Sequence, residues 1–359
     1  MRTLLLCPEL FRADGGIARI LRLYLKALCE GAAADDAVDC LVLNDAAGTD
    51  SRLAACSGPA LRSFTGCGRS HLGFVTRSLR LGCRADRAVS GHLHLLPLLA
   101  LARRFNPRLK YSLVAHGIEV WRPFSPRERR ALLGAHRILC VSEFTRGQLR
   151  RFCPGLDPAR AVVVPNAVDP ALRPAATPPA AAAPSTGPRL LTVARLSADD
   201  SYKGVDTLIE ALPLVRRQVP GAVLRVVGTG DDLPRLRALA RVQRVDDAVA
   251  FVGRLDDAAL QAEYAGCDLF ALPSRREGFG LVYLEAMQHG KACLGARAGG
   301  APEVIDDRVG VLAEYGNIPD IAAAVLDLVR HPRDPAAVRR HAGGFTYPAF
   351  AARLRAALD

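Results

Sequence analysis

The chain has 359 residues, half of them hydrophobic and 6% aromatic, a length that suits two domains and an apolar share ample for two cores. Its net charge of +12 is uneven: residues 1–169 hold 25 Lys and Arg against 14 Asp and Glu, whereas residues 170–359 hold 23 against 22. No aromatic-interleaved basic strand accompanies the excess, so nucleic acid is excluded in favour of an anionic membrane surface or a polyprenyl diphosphate. No apolar run reaches the roughly 20 residues of a spanning helix. The ten cysteines contain no Cys-x-x-Cys pair and read as buried, reduced thiols of a cytosolic protein.

The opening MRTLLLC is cut short by Pro8 and Glu9. That is too brief for a signal peptide, and residues 3–7 are expected to form a first strand. Asp14-Gly15-Gly16 then opens a helix over residues 17–29, and a Gly-Gly pair there presents free N–H groups at the carboxyl edge of a sheet. Over residues 70–88, Arg77, Arg80, Arg84 and Arg87 recur at three, four and three beside a stripe of Leu72, Val75, Leu79 and Cys83. The pattern is an amphipathic helix whose basic face is either solvated or docked on anionic lipid. His92 and His94 lack a third ligand at helical spacing, so no metal site is expected. A strand over 111–115 delivers His116-Gly117 to the carboxyl edge. A helix over 127–133, a strand over 137–141, Ser142 as an N-cap and a strand over 161–164 follow.

Residues 170–188 are a Pro/Ala linker without amphipathic pattern, which divides the chain into domains at 1–169 and 189–345. The second domain restarts with a strand over 189–193, Arg195 and Lys203, and a helix with Val205, Leu208, Ile209, Leu212 and Val215 on one face. Strands over 222–227, 248–252 and 268–271 alternate with helices from 233 and over 258–265. Such alternation predicts an α/β protein of two doubly wound parallel sheets.

Residues 272–304 organise the whole. Glu277 and Glu285 stand eight apart; Gly278-Phe279-Gly280 turns directly after the first, and an apolar helix from Leu281 carries the second. The helix start favours an anion, and two acids beside an anion suit neutral hydroxyls such as those of a sugar and a ribose. Arg195 and Lys203 offer two cations to one phosphate-sized site. No Asp-x-Asp triplet occurs, so fixed charge has to serve a leaving diphosphate.

Arg195, Lys203, Glu277 and Glu285, in that order and with these surroundings, resemble the family-4 glycosyltransferases, retaining enzymes of the GT-B fold, over nearly the whole chain and most closely in residues 190–304. The resemblance implies two Rossmann-like domains facing a crevice, with a last helix over 346–359 that packs back on the first domain. It implies metal-independent transfer of a hexosyl group from a UDP- or GDP-sugar to a glycan or polyprenyl-diphosphate-linked acceptor, in bacterial surface polysaccharide assembly at the inner face of the cell membrane. No cofactor beyond the donor is implied. Arg195 and Lys203 would hold the diphosphate, Glu277 the sugar hydroxyls and Glu285 the ribose. Gly15, Gly16 and the backbone of Phe279, Gly280 and Leu281 would surround sugar and phosphates, and His116 would position the sugar. Ala167 departs from the family's Asn-Gly-Val-Asp. A sugar-nucleotide epimerase of similar architecture is the alternative.

Overall fold

The computed structural model describes residues 1–12, 15–48, 50–172 and 187–359; Asp14 and residues 173–186 of the expected linker lie outside them. The described residues form two compact units, Met1–Asp169 with Tyr347–Asp359, and Pro170–Thr346.

Unit 1 runs β1 (Arg2–Cys7), α1 (Gly16–Glu30), β2 (Ala37–Val42), β3 (Leu61–Gly66), α2 (His71–Gly82), β4 (Arg87–Ser90), α3 (Leu96–Phe105), β5 (Lys110–Ala115), α4 (Pro126–Gly134), β6 (Arg137–Cys140), α5 (Glu143–Phe152) and β7 (Ala161–Val163). Among the described residues its sheet has seven strands, all parallel, in the order β3-β2-β1-β4-β5-β6-β7. Helices cover both faces of such a sheet, which is why β1 reads as an unbroken apolar run and Leu4, Leu5 and Leu6 are all buried. The loop after β1 is pinned by a buried acid: the Asp45 carboxylate accepts the N–H groups of Leu10, Phe11 and Arg12 at 3.1, 2.9 and 3.2 Å.

Unit 2 runs β8 (Arg189–Val193), α6 (Val205–Gln218), β9 (Val223–Val227), α7 (Leu233–Val242), β10 (Val249–Gly253), α8 (Asp257–Gly266), β11 (Leu269–Leu272), α9 (Leu281–Gln288), β12 (Ala292–Ala296), β13 (Gly310–Ala313), α10 (Ile318–Arg330) and α11 (Pro335–Ala342). Its parallel sheet has the order β10-β9-β8-β11-β12-β13. The five apolar positions expected on α6 are all buried, and α10 packs against them. The last helix, α12 (Tyr347–Leu358), lies on α1 in unit 1, with Tyr24 and Phe350 edge to face at 5.0 Å and Tyr347 Oη donating to Glu30 at 2.6 Å.

Two expectations are corrected. The 70–88 helix is α2, and it stops at Gly82, where a Cβ would lie 2.8 Å from that of Ala102. Arg84 therefore falls in the turn, and Arg87 enters β4, where it pairs with Asp359; no single face carries all four arginines. The core stripe of α2 is Phe74 and Ser78, while Leu72 is 77% exposed. The cysteines are all free thiols, but Cys67 is half-buried and Cys83 exposed, because each sits where an element gives way to a turn.

Candidate functional site

In unit 2 the strand order reverses between β8 and β11, so the loops leaving those strands open the crevice in which such sheets bind ligands. The first loop carries Arg195 and Lys203, the second Glu277. Lys203 Nζ donates to Glu277 Oε2 at 2.7 Å, with the two side chains only 23% and 14% exposed. Arg195 reaches Asp200 through Nε and through Nη2, the latter at 3.1 Å, and remains 75% exposed. Both cations line one cleft together with Asp200, Asp206, Asp232 and Arg235. Each of the two cations expected at one phosphate-sized site thus has a carboxylate partner of its own. The physical reason is Asp200, a buried acid that has to be paired. Burial opposes its ionisation, but hydrogen bonds from Arg195 and from Tyr202 Oη (2.8 Å) outweigh burial and hold the carboxyl below its usual range.

The Glu277 loop is held from two sides. On one, Arg275 N–H donates to Tyr202 O at 2.9 Å, and Gly204 (φ +75°) comes so close that a Cβ would lie 2.6 Å from Pro273 O. On the other, Gly300 N–H donates to Glu277 O at 2.7 Å, and a Cβ on Gly299 (φ +61°) would stand 2.5 Å from that same oxygen. Only glycine fits there. The loop ends at Gly280 (φ +98°), the N-cap of α9, which makes no side-chain cap; Tyr283 N–H donates to Gly280 O at 3.1 Å, and the amides of Leu281 and Val282 face the position an anion would take. Phe279 is buried against Phe345, its ring 5.6 Å away.

Glu285 lies one turn into α9, 6% exposed, and accepts from Tyr264 Oη at 2.9 Å. Tyr264 in turn stacks on His289, whose Nε2 meets Gln261 Oε1 at 2.7 Å. Burial, reinforced by Lys291, pushes His289 down to about 4 from its ordinary 6.5. The unfolded chain therefore binds a proton that the folded unit refuses between those values. The contribution of neutral His289 is expected to be full above pH 6.5 and lost as pH falls towards about 4. Unfolding of wild type and His289→Gln across that window checks this, and an unchanged pH slope in the variant contradicts it.

In unit 1, α1 begins at Gly16, and its N-cap Gly15 makes no side-chain cap. A Cβ at Gly15 would meet nothing within 4 Å, so the protein's own packing does not demand glycine there. His116 follows β5, two strands away from β1. Its Nε2 lies 2.9 Å from Gly91 O, and its backbone N–H donates to the Glu119 carboxylate. Burial lowers its pKa against the opposing pull of Glu119. A neutral imidazole that donates from Nε2 to a carbonyl leaves Nδ1 as an acceptor, suited to a hydroxyl. His92 and His94 meet edge to face, their ring centres 4.8 Å apart.

Sequence reasoning missed Asp200, Tyr202, Gly299, Gly300 and Glu119. Only the Gly299-Gly300 pair, two residues beyond the apolar run 292–296, carried a readable signal, that of a close backbone approach.

A family model described as Glycosyl transferases group 1 matches residues 187–331, and one described as Glycosyltransferase Family 4 matches residues 15–172. The GDP-mannose-dependent alpha-(1-6)-phosphatidylinositol monomannoside mannosyltransferase of Mycolicibacterium smegmatis is 36% identical over 255 residues, 66% of this chain and 65% of that protein. Glycogen synthase of Mycobacterium tuberculosis is 38% identical over 229 residues, 63% of this chain and 50% of that one. The chain thus spans just under two thirds of the one and half of the other. Anabaena HepE in complex with UDP and glucose shares the fold with a TM-score of 0.78 at 20% identity, over 100% of this chain and 99% of that one. WaaG, a glycosyltransferase involved in lipopolysaccharide biosynthesis, does so at 0.72 and 17%, over 99% of each. With one family model matched in each unit and the GT-B fold shared along its length, the chain belongs to the family-4 (group 1) glycosyltransferases.

Proposed function

We propose that the protein moves a hexosyl group, with retention and without a metal, from a GDP- or UDP-sugar to a glycan or lipid-linked glycan acceptor. The observation that carries the reading is the Lys203–Glu277 pair at the switch point of unit 2, beside the uncapped start of α9. A diphosphate bridged between Lys203 and the α9 amides competes with Glu277 for Nζ, and Glu277 then turns its oxygens to the sugar hydroxyls. Donor binding and sugar positioning become one event. Arg195, exposed at the cleft rim, closes on the outer phosphate. Glu285 takes the ribose hydroxyls, with Tyr264 holding its second oxygen. In unit 1, His116 Nδ1 and the α1 amides at Gly16 are assigned to the sugar and the distal phosphate.

Transfer proceeds on one face of the sugar. The C1–O bond to the diphosphate breaks, a C1–O bond to the acceptor hydroxyl forms on the same side, and the hydroxyl's proton passes to the leaving phosphate oxygen. Fixed donors around that oxygen stabilise the charge that develops on it. The M. smegmatis relative uses GDP-mannose, which supports guanine as the first base to test.

A melting-point panel of GDP, UDP and ADP identifies the base, since a ligand at 100 times its Kd stabilises the fold by about 2.7 kcal/mol. Donor turnover with and without acceptor follows, with the anomeric coupling of the product read by NMR. Consumption of donor into a new sugar nucleotide without acceptor favours an epimerase, and an inverted anomeric centre overturns retention.

The two carboxylates are expected to separate by calorimetry. Glu285→Gln removes a charged hydrogen bond worth about 1.5–3 kcal/mol, so nucleoside diphosphate affinity falls roughly tenfold or more. Glu277→Gln relieves competition for Lys203, so affinity holds or rises while transfer falls. Equal losses of affinity in the two variants contradict the assignment.

A further inference from the structure

The positive excess of residues 1–169 is not collected on α2; part of it gathers at the opposite end of the sheet from His116. There a basin of about 510 Å³ opens at the amino ends of β5 and β6, lined by Arg103, Arg108, Lys110, Arg137 and Arg160. Asp157 is the one acid in its lining, 3.7 Å from Arg160. Three of the guanidiniums are fixed by carbonyls: Arg103 Nη1 donates to Gly134 O at 2.7 Å, Arg160 Nη1 to Leu133 O at 3.0 Å, and Arg137 Nε to Ala357 O at 3.2 Å. Arg160 Nη1 also donates to Ala135 O at 3.3 Å, and since a guanidinium has five donors the charge is held in place with donors to spare. Arg108 and Lys110 have no ion pair among the described residues and are exposed. His136 lines the same basin, and its Nε2 is buried without a hydrogen-bond partner among the described residues. Burial and then the positive charges of Arg137, Lys110, Arg87 and Arg160 hold its pKa down.

We propose that this basin is a second anion site, separate from the donor site, for a phosphate group: that of a phosphorylated soluble molecule or of the headgroup of an anionic lipid. A single surface cation is solvated cheaply. Five converging on one concavity, with a buried ring nitrogen among them, repel one another unless an anion enters, and planar guanidiniums match phosphate oxygens two at a time. β5 spans six residues, so the basin lies about 20 Å from His116 at 3.3 Å per residue. A ligand there does not compete with donor or acceptor at the carboxyl edge of that sheet.

The test uses the full chain with three probes: inorganic pyrophosphate, vesicles of phosphatidylcholine with 30% phosphatidylglycerol, and vesicles of phosphatidylcholine alone. Pyrophosphate binding is followed by calorimetry and by the His136 imidazole resonances, which a donor-site event leaves still. The charge reversal Arg108→Glu/Lys110→Glu is expected to weaken the event that moves His136 by about tenfold or more, because it turns two of five cations into acids. Lys203→Ala is expected to leave that event intact. Both reversed side chains are exposed, and an unchanged melting temperature confirms folding. A soluble ligand is indicated if pyrophosphate moves His136 and the reversal leaves vesicle co-sedimentation unchanged. A headgroup is indicated if binding to phosphatidylglycerol vesicles falls in the reversal and phosphatidylcholine alone does not bind. His136 resonances unmoved by pyrophosphate, together with vesicle binding indifferent to the reversal, overturn the proposal. Neither readout requires transfer activity, so the outcome stands apart from the proposed function.

Discussion

Lys203→Ala is expected to lower kcat/KM about 10²–10³-fold, the size of losing one preorganised group that stabilises developing charge. Two losses combine. The diphosphate loses the ammonium that neutralises it, and Glu277, 14% exposed and 2.7 Å from Nζ, loses its partner and stands as a bare carboxylate beside an anion. The second loss is separable: in Lys203→Ala/Glu277→Gln the nucleoside diphosphate is expected to bind more tightly than in Lys203→Ala alone, because the repulsion has gone, although transfer is not restored. Such non-additivity is the mark of groups acting on one another. Arg195→Ala is expected to fall less in kcat/KM. Its side chain is three-quarters exposed and screened by solvent, and the main consequence is for Asp200, which among the described residues keeps only Tyr202 as a side-chain hydrogen-bond partner. A Lys203→Ala enzyme retaining more than about a third of wild-type kcat/KM, or a double variant no better at binding nucleotide, contradicts this account.

The fold was legible because its signals are periodic. Buried parallel strands are continuous apolar runs, α6 shows its core face at spacing 3.6, and the alternation of the two leaves few architectures. β3 escaped because Arg62, Ser63 and Thr65 break its run at a half-buried edge of the sheet. The helix over 70–88 was read too long because arginine spacing continues past Gly82, where α2 ends in close approach to Ala102, a contact seen only in three dimensions. At the site, residue types and order were readable: Arg195, Lys203, Glu277 and Glu285 reach the loops and the helix that sequence assigned them. Their pairing was not. That Lys203 meets Glu277 across 74 positions depends on β8 and β11 being neighbours, which no local pattern encodes, and Asp200 takes Arg195 within the one loop that follows β8.

Gly299→Ala is expected to reduce transfer at saturating donor about 10²-fold without touching a ligand-binding side chain. Gly299 sits at φ +61°, a conformation that costs a residue with a Cβ about 1–2 kcal/mol. Strain alone does not reach the chemistry. The larger effect is steric: the added carbon would lie 2.5 Å from Glu277 O and 3.0 Å from Glu277 N, both backbone atoms with no rotamer to escape into. The Glu277 loop has to retreat, and with it go the 2.7 Å hydrogen bond from Gly300 and the approach of Oε2 to Lys203. A displacement of about 1 Å at a positioned group is enough for a loss of that order. Gly316→Ala separates the two causes, since Gly316 has φ +76° but a methyl added there would meet nothing within 4 Å, so it bears the strain without the clash. Both variants are expected to melt lower than wild type, and only Gly299→Ala to lose kcat. Nucleoside diphosphate affinity in Gly299→Ala is expected to hold within about threefold, because α9 and Glu285 stay on the far side of Gly280. If the two alanine variants retain equal kcat, the glycine pair serves folding alone, and the position of Glu277 does not depend on it.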